Sequence, residues 1–176
     1  MLKMSPIIRE DIENVYEGLK DELGKIAGSR WLISGGAGFL GSYFLDLLSF
    51  CNETVFDRPC RVICLENFIS GTPARIQHLK DDSHIHVINA DIVKPLQLTG
   101  PVDYIIHAAS IASPTFYRKY PLETIEANVL GLKNLLDLGK TQRLKSFLYF
   151  STSEIYGDPS PENIPTPEHY NGNVSC

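Results

Sequence analysis

The 176-residue chain has no cluster of lysine and arginine. Its 16 basic residues are scattered among 21 acidic ones, for a net charge of −5, so it offers no surface for the clustered phosphate contacts of a nucleic-acid partner. Long apolar runs are missing too. Nothing approaches the roughly 18 consecutive apolar residues of a membrane span, and the N-terminus lacks the basic-then-apolar layout of a signal peptide. No membrane partner is expected, and the cytoplasm is the expected location. Cysteine is scarce and unpaired: Cys51, Cys60, Cys64 and Cys176 form no C-x-x-C pair and have no accompanying histidine set. That pattern points to buried reduced thiols and not to zinc ligands or disulfides. His84 and His86 share one face of a strand-like run without a third ligand, so no metal is expected. Internal repeats and low-complexity tracts are absent.

What the chain does have is 43% hydrophobic content, enough to bury the core of one domain, and a glycine-rich segment in an informative setting. Ile33-Ser34-Gly35-Gly36-Ala37-Gly38-Phe39-Leu40-Gly41-Ser42 follows the apolar run Trp31-Leu32-Ile33 and precedes Phe44, Leu45, Leu47 and Leu48 at helical spacing. A strand, a glycine turn and a helix start in that order form a site for a nucleotide pyrophosphate: N–H groups and the helix dipole face the anion, and glycine lets it approach the backbone. The glycines fit both G-x-x-G-x-x-G (Gly35, Gly38, Gly41) and G-x-G-x-x-G (Gly36, Gly38, Gly41), and spacing alone does not choose between them. The next apolar run, Arg61–Leu65, ends in Glu66. A carboxylate there accepts hydrogen bonds from ribose hydroxyls and repels a 2′-phosphate, favouring NAD over NADP.

Further along, residues 7–26 carry a helical apolar stripe, read as a cap on the sheet edge or as a contact with a second subunit. A short helix is expected at Ala74–Lys80, and strands at His84–Asn89, Val102–His107 and Phe147–Phe150. A long helix is expected from Pro121, buried through Leu122, Ile125, Val129, Leu132, Leu135, Leu136 and Leu138. Strand and helix alternate, which implies a doubly wound parallel α/β sheet of the Rossmann type, with ligands at the carboxyl ends of the strands. Gly35–Gly41, Glu66, Asp91, Ala108–Ser110 and Ser151–Glu154 all fall at such ends, and small side chains at Ala108-Ala109-Ser110 leave room for a flat ring. The expected parts are an N-terminal helix and linker (1–28), a dinucleotide-binding domain (29–157) and an irregular, Pro-rich segment (158–176).

With these residues in place, residues 29–176 resemble the extended short-chain dehydrogenase/reductase family, the NAD-dependent nucleotide-sugar epimerases, dehydratases and decarboxylases. Gly35-x-x-Gly38-x-x-Gly41 matches its cofactor loop, Glu66-Asn67-Phe68 its Asp-Asn-Phe, and Asp91-Ile92 its adenine-contacting pair. Within the family the likeness is greatest to UDP-glucuronate decarboxylases, through His107-Ala108-Ala109-Ser110-Ile111-Ala112-Ser113-Pro114, Asn128 and Ser151-Thr152-Ser153-Glu154-Ile155-Tyr156-Gly157-Asp158-Pro159. The resemblance implies NAD bound by Gly35, Gly38, Phe39, Leu40, Gly41, Glu66, Asn67, Phe68, Gly71, Asp91, Ile92, Ala108, Ala109 and Ser110. It implies a nucleotide sugar, UDP-glucuronate above others, near Ser113, Pro114 and Tyr117, with Asn128 either fixing loop geometry or touching ligand. Thr152 matches the hydroxyl that hydrogen-bonds the sugar C4 oxygen, and Glu154 an acid that handles protons. Ser153 stands where related 4,6-dehydratases carry Asp, which favours loss of carbon dioxide over loss of water. By itself, Ser151–Glu154 also reads as a polar strand end capping a short helix.

The family's Tyr-x-x-x-Lys pair is not in the sequence at the matching place. Tyr16-x-x-x-Lys20 has the spacing but precedes the glycine turn. The expectation is therefore a C-terminally truncated version of a longer, homo-oligomeric enzyme, with two alternatives: a 4,6-dehydratase or 4-epimerase, and a non-catalytic NAD-binding module.

Overall fold

The computed structural model describes residues 4–174. Five strands, β1 (Arg30–Ser34), β2 (Arg61–Glu66), β3 (Ile85–Asn89), β4 (Tyr104–His107) and β5 (Ser146–Tyr149), form one sheet in the order β3-β2-β1-β4-β5. Every pairing among them is parallel. The chain builds outward from β1 through β2 to β3, then returns across the sheet to β4. The strand order thus reverses between β1 and β4, and a crevice opens at the carboxyl ends there.

Contiguous apolar runs make the central strands β1, β2 and β4, where both sheet faces are covered. Ile33, Val62, Cys64 and Ile106 point into one core with helix α2 (Phe39–Thr54). Their alternates Leu32, Leu65 and Ile105 point into a second core with Leu135 of a helix beginning at Leu132. Each such fully buried side chain contributes about 1.5–3 kcal/mol. The buried thiols of Cys51, Cys60 and Cys64 belong to the first core and are unpaired; Cys176 lies outside the described residues.

The N-terminal helix α1 (Pro6–Leu23) lies against α2 and not on the sheet edge. Ile12 and Leu23 enter the first core, the Tyr16 and Phe50 rings meet at 5.7 Å, and the Tyr43 hydroxyl donates to Asp11 at 2.6 Å. That helix-to-helix hydrogen bond, beside the apolar stripe, fixes the position of α1. The expected helix at Ala74–Lys80 is a 3-10 turn, Pro73–Leu79. It is tied to α2 by Asp46, whose fully buried carboxylate lies 2.9 Å from Arg75 Nη2 and 2.7 Å from His78 Nε2.

The long helix differs most from expectation. It starts at Pro121 as expected, after a separate short helix α3 (Pro114–Lys119) that ends at the non-helical Tyr120, but runs as α4 (Pro121–Glu126), a π turn at Ala127–Gly131 and α5 (Leu132–Thr141). Of the expected buried stripe only Leu135 is fully enclosed. Leu122, Ile125, Val129 and Leu136 are exposed, because the helix seats on the sheet only from Gly131 onward, where Gly131 faces Ile92 and Gly139 faces Leu144. In the edge strand β3 only Ile85 is buried. The segment after Gly157 is irregular, as its prolines suggest, yet pinned: Asn173 N–H donates to Tyr156 O at 2.9 Å and Asp158 N–H to Asn173 O at 3.2 Å.

Replacing the buried carboxylate (Asp46→Ala) leaves the Arg75 guanidinium, one of whose nitrogens already lacks a partner, without its counter-charge. The expected loss is about 2–4 kcal/mol, below that of a fully enclosed pair because Arg75 keeps some solvent contact. Urea denaturation followed by circular dichroism measures it.

Candidate functional site

The glycine turn between β1 and α2 is shaped by contacts that leave no room for side chains. Gly35 sits at φ +77°, and a Cβ there would stand 2.6 Å from Ala109 N. Gly35 N–H donates to Leu65 O at 2.9 Å, while Gly38 N–H donates to Gly35 O at 3.1 Å. Gly38 is the residue preceding α2 in extended conformation, and Gly41, one turn in, rests directly on the Gly35 carbonyl. Turn, helix start and close packing fall to Gly35, Gly38 and Gly41, which selects the G-x-x-G-x-x-G reading. Gly36 is required for another reason: a Cβ there would collide with Cys64 Sγ beneath it. Burial pushes that thiol up to about 12, so it packs as a neutral group. The N–H groups of Phe39, Leu40 and Gly41 come before the first backbone bond into α2, from Ser42 N–H to Gly38 O at 3.1 Å, and are free to bind an anion. The side chains of Phe39 and Leu40 are exposed.

Glu66 ends β2 and is 7% exposed. Oε2 accepts from Ala37 N–H at 2.9 Å and Oε1 from Phe68 N–H at 3.0 Å. The expected open acceptor for a ribose is thus also a clamp between the glycine turn and the loop after β2; each oxygen retains a second lone pair for a ligand. Phe68 adopts φ 57°, and its ring packs against the first core. It does not line the cleft described next, because this left-handed backbone turns the ring inward.

A cleft of about 700 Å³, open to solvent, collects the carboxyl ends of β1 through β4. Gly35, Gly38, Glu66, Asn67, Gly71, Asp91, Ile92, Ala108, Ala109 and Ser110 line it. Asp91 closes a turn by accepting from Val93 N–H at 3.0 Å. Sequence reasoning missed Ile69, Ser70, Val93 and Ile111, and from α4 Glu123 and Glu126, whose charges read as an ordinary solvated helix face. His107, which ends β4 just before Ala108–Ser110, is 1% exposed, with Nδ1 2.9 Å from Ser34 Oγ; among the described residues Nε2 has no well-formed hydrogen bond, the Ala127 backbone being its neighbouring polar group. Burial lowers its pKa below the usual histidine value.

The remaining expected residues stand outside this lining, Phe39, Leu40 and Gly41 of the first turn of α2 among them. Thr152 caps a 3-10 turn, Ser153–Tyr156, by accepting from Glu154 N–H at 3.2 Å, and Thr152, Ser153 and Glu154 are all exposed. They come after β5, the edge strand beyond β4. Ser113 and Pro114 open α3, and Tyr117 is exposed on it. Asn128 lies in the π turn.

A parallel sheet with a glycine turn and a helix N-terminus at its strand-order reversal is a Rossmann-type, dinucleotide-binding architecture. The chain belongs to the NAD dependent epimerase/dehydratase family, whose sequence profile matches residues 31–173. It is 40% identical over 146 residues to UDP-glucuronic acid decarboxylase 1 of Arabidopsis thaliana, covering 83% of this chain and 31% of that protein. To UDP-glucuronic acid decarboxylase 1 of Xenopus tropicalis it is 35% identical over 174 residues, covering 96% of this chain and 38% of that protein. The chain thus spans about a third of the length of these curated relatives. Among solved structures it is similar to a dTDP-glucose 4,6-dehydratase from Streptomyces venezuelae determined with NAD bound (28% identity, TM-score 0.63, 74% of this chain and 42% of that one). An epimerase from Methanothermobacter thermautotrophicus shares the fold at TM-score 0.71 and 24% identity, over 91% of this chain and 45% of that one. Among the described residues no helix is long and apolar enough to cross a membrane.

The geometry has two measurable consequences. Glu66→Gln places an amide N–H₂ against one of two backbone donors, which costs about 1–3 kcal/mol of stability and loosens the glycine turn; urea denaturation and calorimetric titration with NAD measure both effects. For His107 the sign runs toward acid. The unfolded chain takes up a proton near the ordinary histidine pKa and the folded chain only lower, so stability falls as pH drops below about 6.5, by at most about 1.4 kcal/mol per unit. Denaturation at stepped pH should show this component in the native protein and not in His107→Gln.

Proposed function

We propose that the chain is the NAD-binding part of an enzyme acting on a nucleotide sugar, with UDP-glucuronate as substrate and decarboxylation as the reaction. The observation that carries this reading is the 40% identity to a UDP-glucuronic acid decarboxylase across 83% of the chain, together with a cleft whose lining fits a dinucleotide. In this reading the N–H groups at the start of α2 hold the pyrophosphate, Glu66 and Asn67 the adenosine ribose, and Asp91 and Ile92 the base. Ala108, Ala109 and Ser110 give the nicotinamide a floor without bulk. NAD supplies a hydride acceptor and then a donor, so that C4 of the sugar is oxidised, carbon dioxide leaves from the carbon beyond, and C4 is reduced again with no net redox change.

Thr152 would hydrogen-bond the C4 oxygen and Glu154 would handle a proton. Both residues are exposed, and the Thr152 hydroxyl, which accepts from Glu154 N–H, keeps its own proton to donate. Serine at 153 provides no acid at neutral pH, which supports decarboxylation over elimination of water. Ser113, Pro114 and Tyr117 would approach the sugar-nucleotide side. The similarity to a 4,6-dehydratase supports dehydration as the second reading, and the uncovered apolar stripe Leu122, Ile125, Val129 and Leu136 supports association with another copy.

Calorimetric titration of the chain with NAD should give saturable binding that Gly41→Ala weakens at least about tenfold, since the methyl group would push α2 from the Gly35 carbonyl. With the protein at the length of its relatives, UDP-glucuronate should yield UDP-xylose and carbon dioxide without added NADH. A 4-keto-6-deoxy product would favour the dehydratase, and NAD binding without turnover at that length a non-catalytic module.

A further inference from the structure

The charge of the cleft carries an inference that rests on the cofactor reading and goes beyond it. The lining includes Glu66, Asp91, Glu123 and Glu126, and no Lys, Arg or His. Two of these carboxylates are engaged: Glu66 accepts from Ala37 and Phe68 N–H, and Asp91 from Val93 N–H. Glu123 and Glu126 make no ion pair or side-chain hydrogen bond among the described residues, so their charges face the cleft unneutralised.

Residues further along the same helix fix their position. Asn134 Nδ2 donates to Ile92 O at 2.9 Å and to Val93 O at 2.8 Å. The Ile92 side chain fills the space over Gly131, where a Cβ would stand 2.5 Å from its Cδ1. The helix is therefore held over the turn that ends β3. A dinucleotide laid from the glycine turn past Glu66 to Asp91 places its adenosine half between those strand ends and α4. Carboxylates on the wall of this solvent-open cleft act on a phosphate inside over distances comparable to the Debye length, about 8 Å at physiological salt, so their repulsion is partly screened there and grows as salt is lowered.

We propose that Glu123 and Glu126 determine cofactor selectivity by charge, excluding dinucleotides that carry a further phosphate on the adenosine half. Glu66 disfavours such a phosphate from the β2 side, and the α4 pair closes the opposite wall. NAD meets a smaller penalty because its pyrophosphate is held by backbone N–H groups at the helix start and its nicotinamide is positively charged.

The test is the ratio of the NADP and NAD dissociation constants, measured calorimetrically on the 176-residue chain and on two double variants, E123Q/E126Q and E123K/E126K. Measurements are made at about 0.05 M and about 0.5 M sodium chloride, which span the change from long to short screening. The native ratio is expected to favour NAD strongly. It should narrow roughly three- to tenfold in the Gln pair and more than about tenfold in the Lys pair at low salt, with most of the change lost at high salt. Both positions are exposed, and unchanged circular dichroism and thermal midpoints verify folding; if the Lys pair fails that check, the Gln pair decides. A ratio that stays within about twofold of the native one at low salt, with NAD still bound, overturns the selector and leaves the cofactor reading intact. Failure of the native chain to bind either dinucleotide overturns the cofactor reading and the selector with it.

Discussion

The approach of α2 to β1 governs the rest of the molecule. Gly41 rests on the Gly35 carbonyl, and no residue with a side chain could occupy its place without moving the helix. This contact aims the helix start at the point where the strand order reverses, and it brings Gly36 down onto the Cys64 thiol and Leu45. The first core is organised around that junction, since Ile33, Leu45 and Cys64 all belong to it. The free N–H groups that suit an anion are a by-product of the same packing: a helix that starts abruptly at Gly38 has donors its own carbonyls cannot reach.

Glu66 extends the junction sideways. It spans from the glycine turn at Ala37 to the next loop at Phe68, so one carboxylate holds together two segments that would each touch a dinucleotide. Preorganisation of this kind matters because a mobile glycine loop would have to be ordered by the ligand, at a cost of about 1–2 kcal/mol per fixed residue. The buried Asp46 carboxylate does similar work one layer out, holding the 3-10 turn beyond this loop to α2.

Much of this was legible in the residues. Glycine spacing, apolar runs and strand-end carboxylates are local patterns, and they specified the sheet, its parallel sense and most of the cleft. The features that were not legible depend on direction. Phe68 belongs to a recognisable motif, yet a positive φ turns its ring into the core. Glu123 and Glu126 sit three apart on a helix that looks solvated, and only the clamp of Asn134 on Ile92 and Val93 reveals that this face closes a cleft. The stripe from Leu122 to Leu136 has the period of a buried helix face, but periodicity records that a face is apolar and not what lies against it. The polar run at Thr152–Glu154, by contrast, takes the capping role that its residue types announced, at the start of a 3-10 turn.

The π turn at Ala127–Gly131 acts as a phase corrector. Glu126 and Leu135 are nine residues apart, which on a regular helix of about 100° per residue sets them on opposite sides of the axis. A π turn takes up about one extra residue and so turns the downstream part back by roughly 100°. That rotation lets one continuous helix present Glu126 to the cleft and Leu135 to the sheet on adjoining sides. The number of residues between Ala127 and Gly131 is therefore an aiming parameter. A change of one would keep Leu135 seated while sweeping the carboxylates away from the cleft, without altering a single residue that touches it.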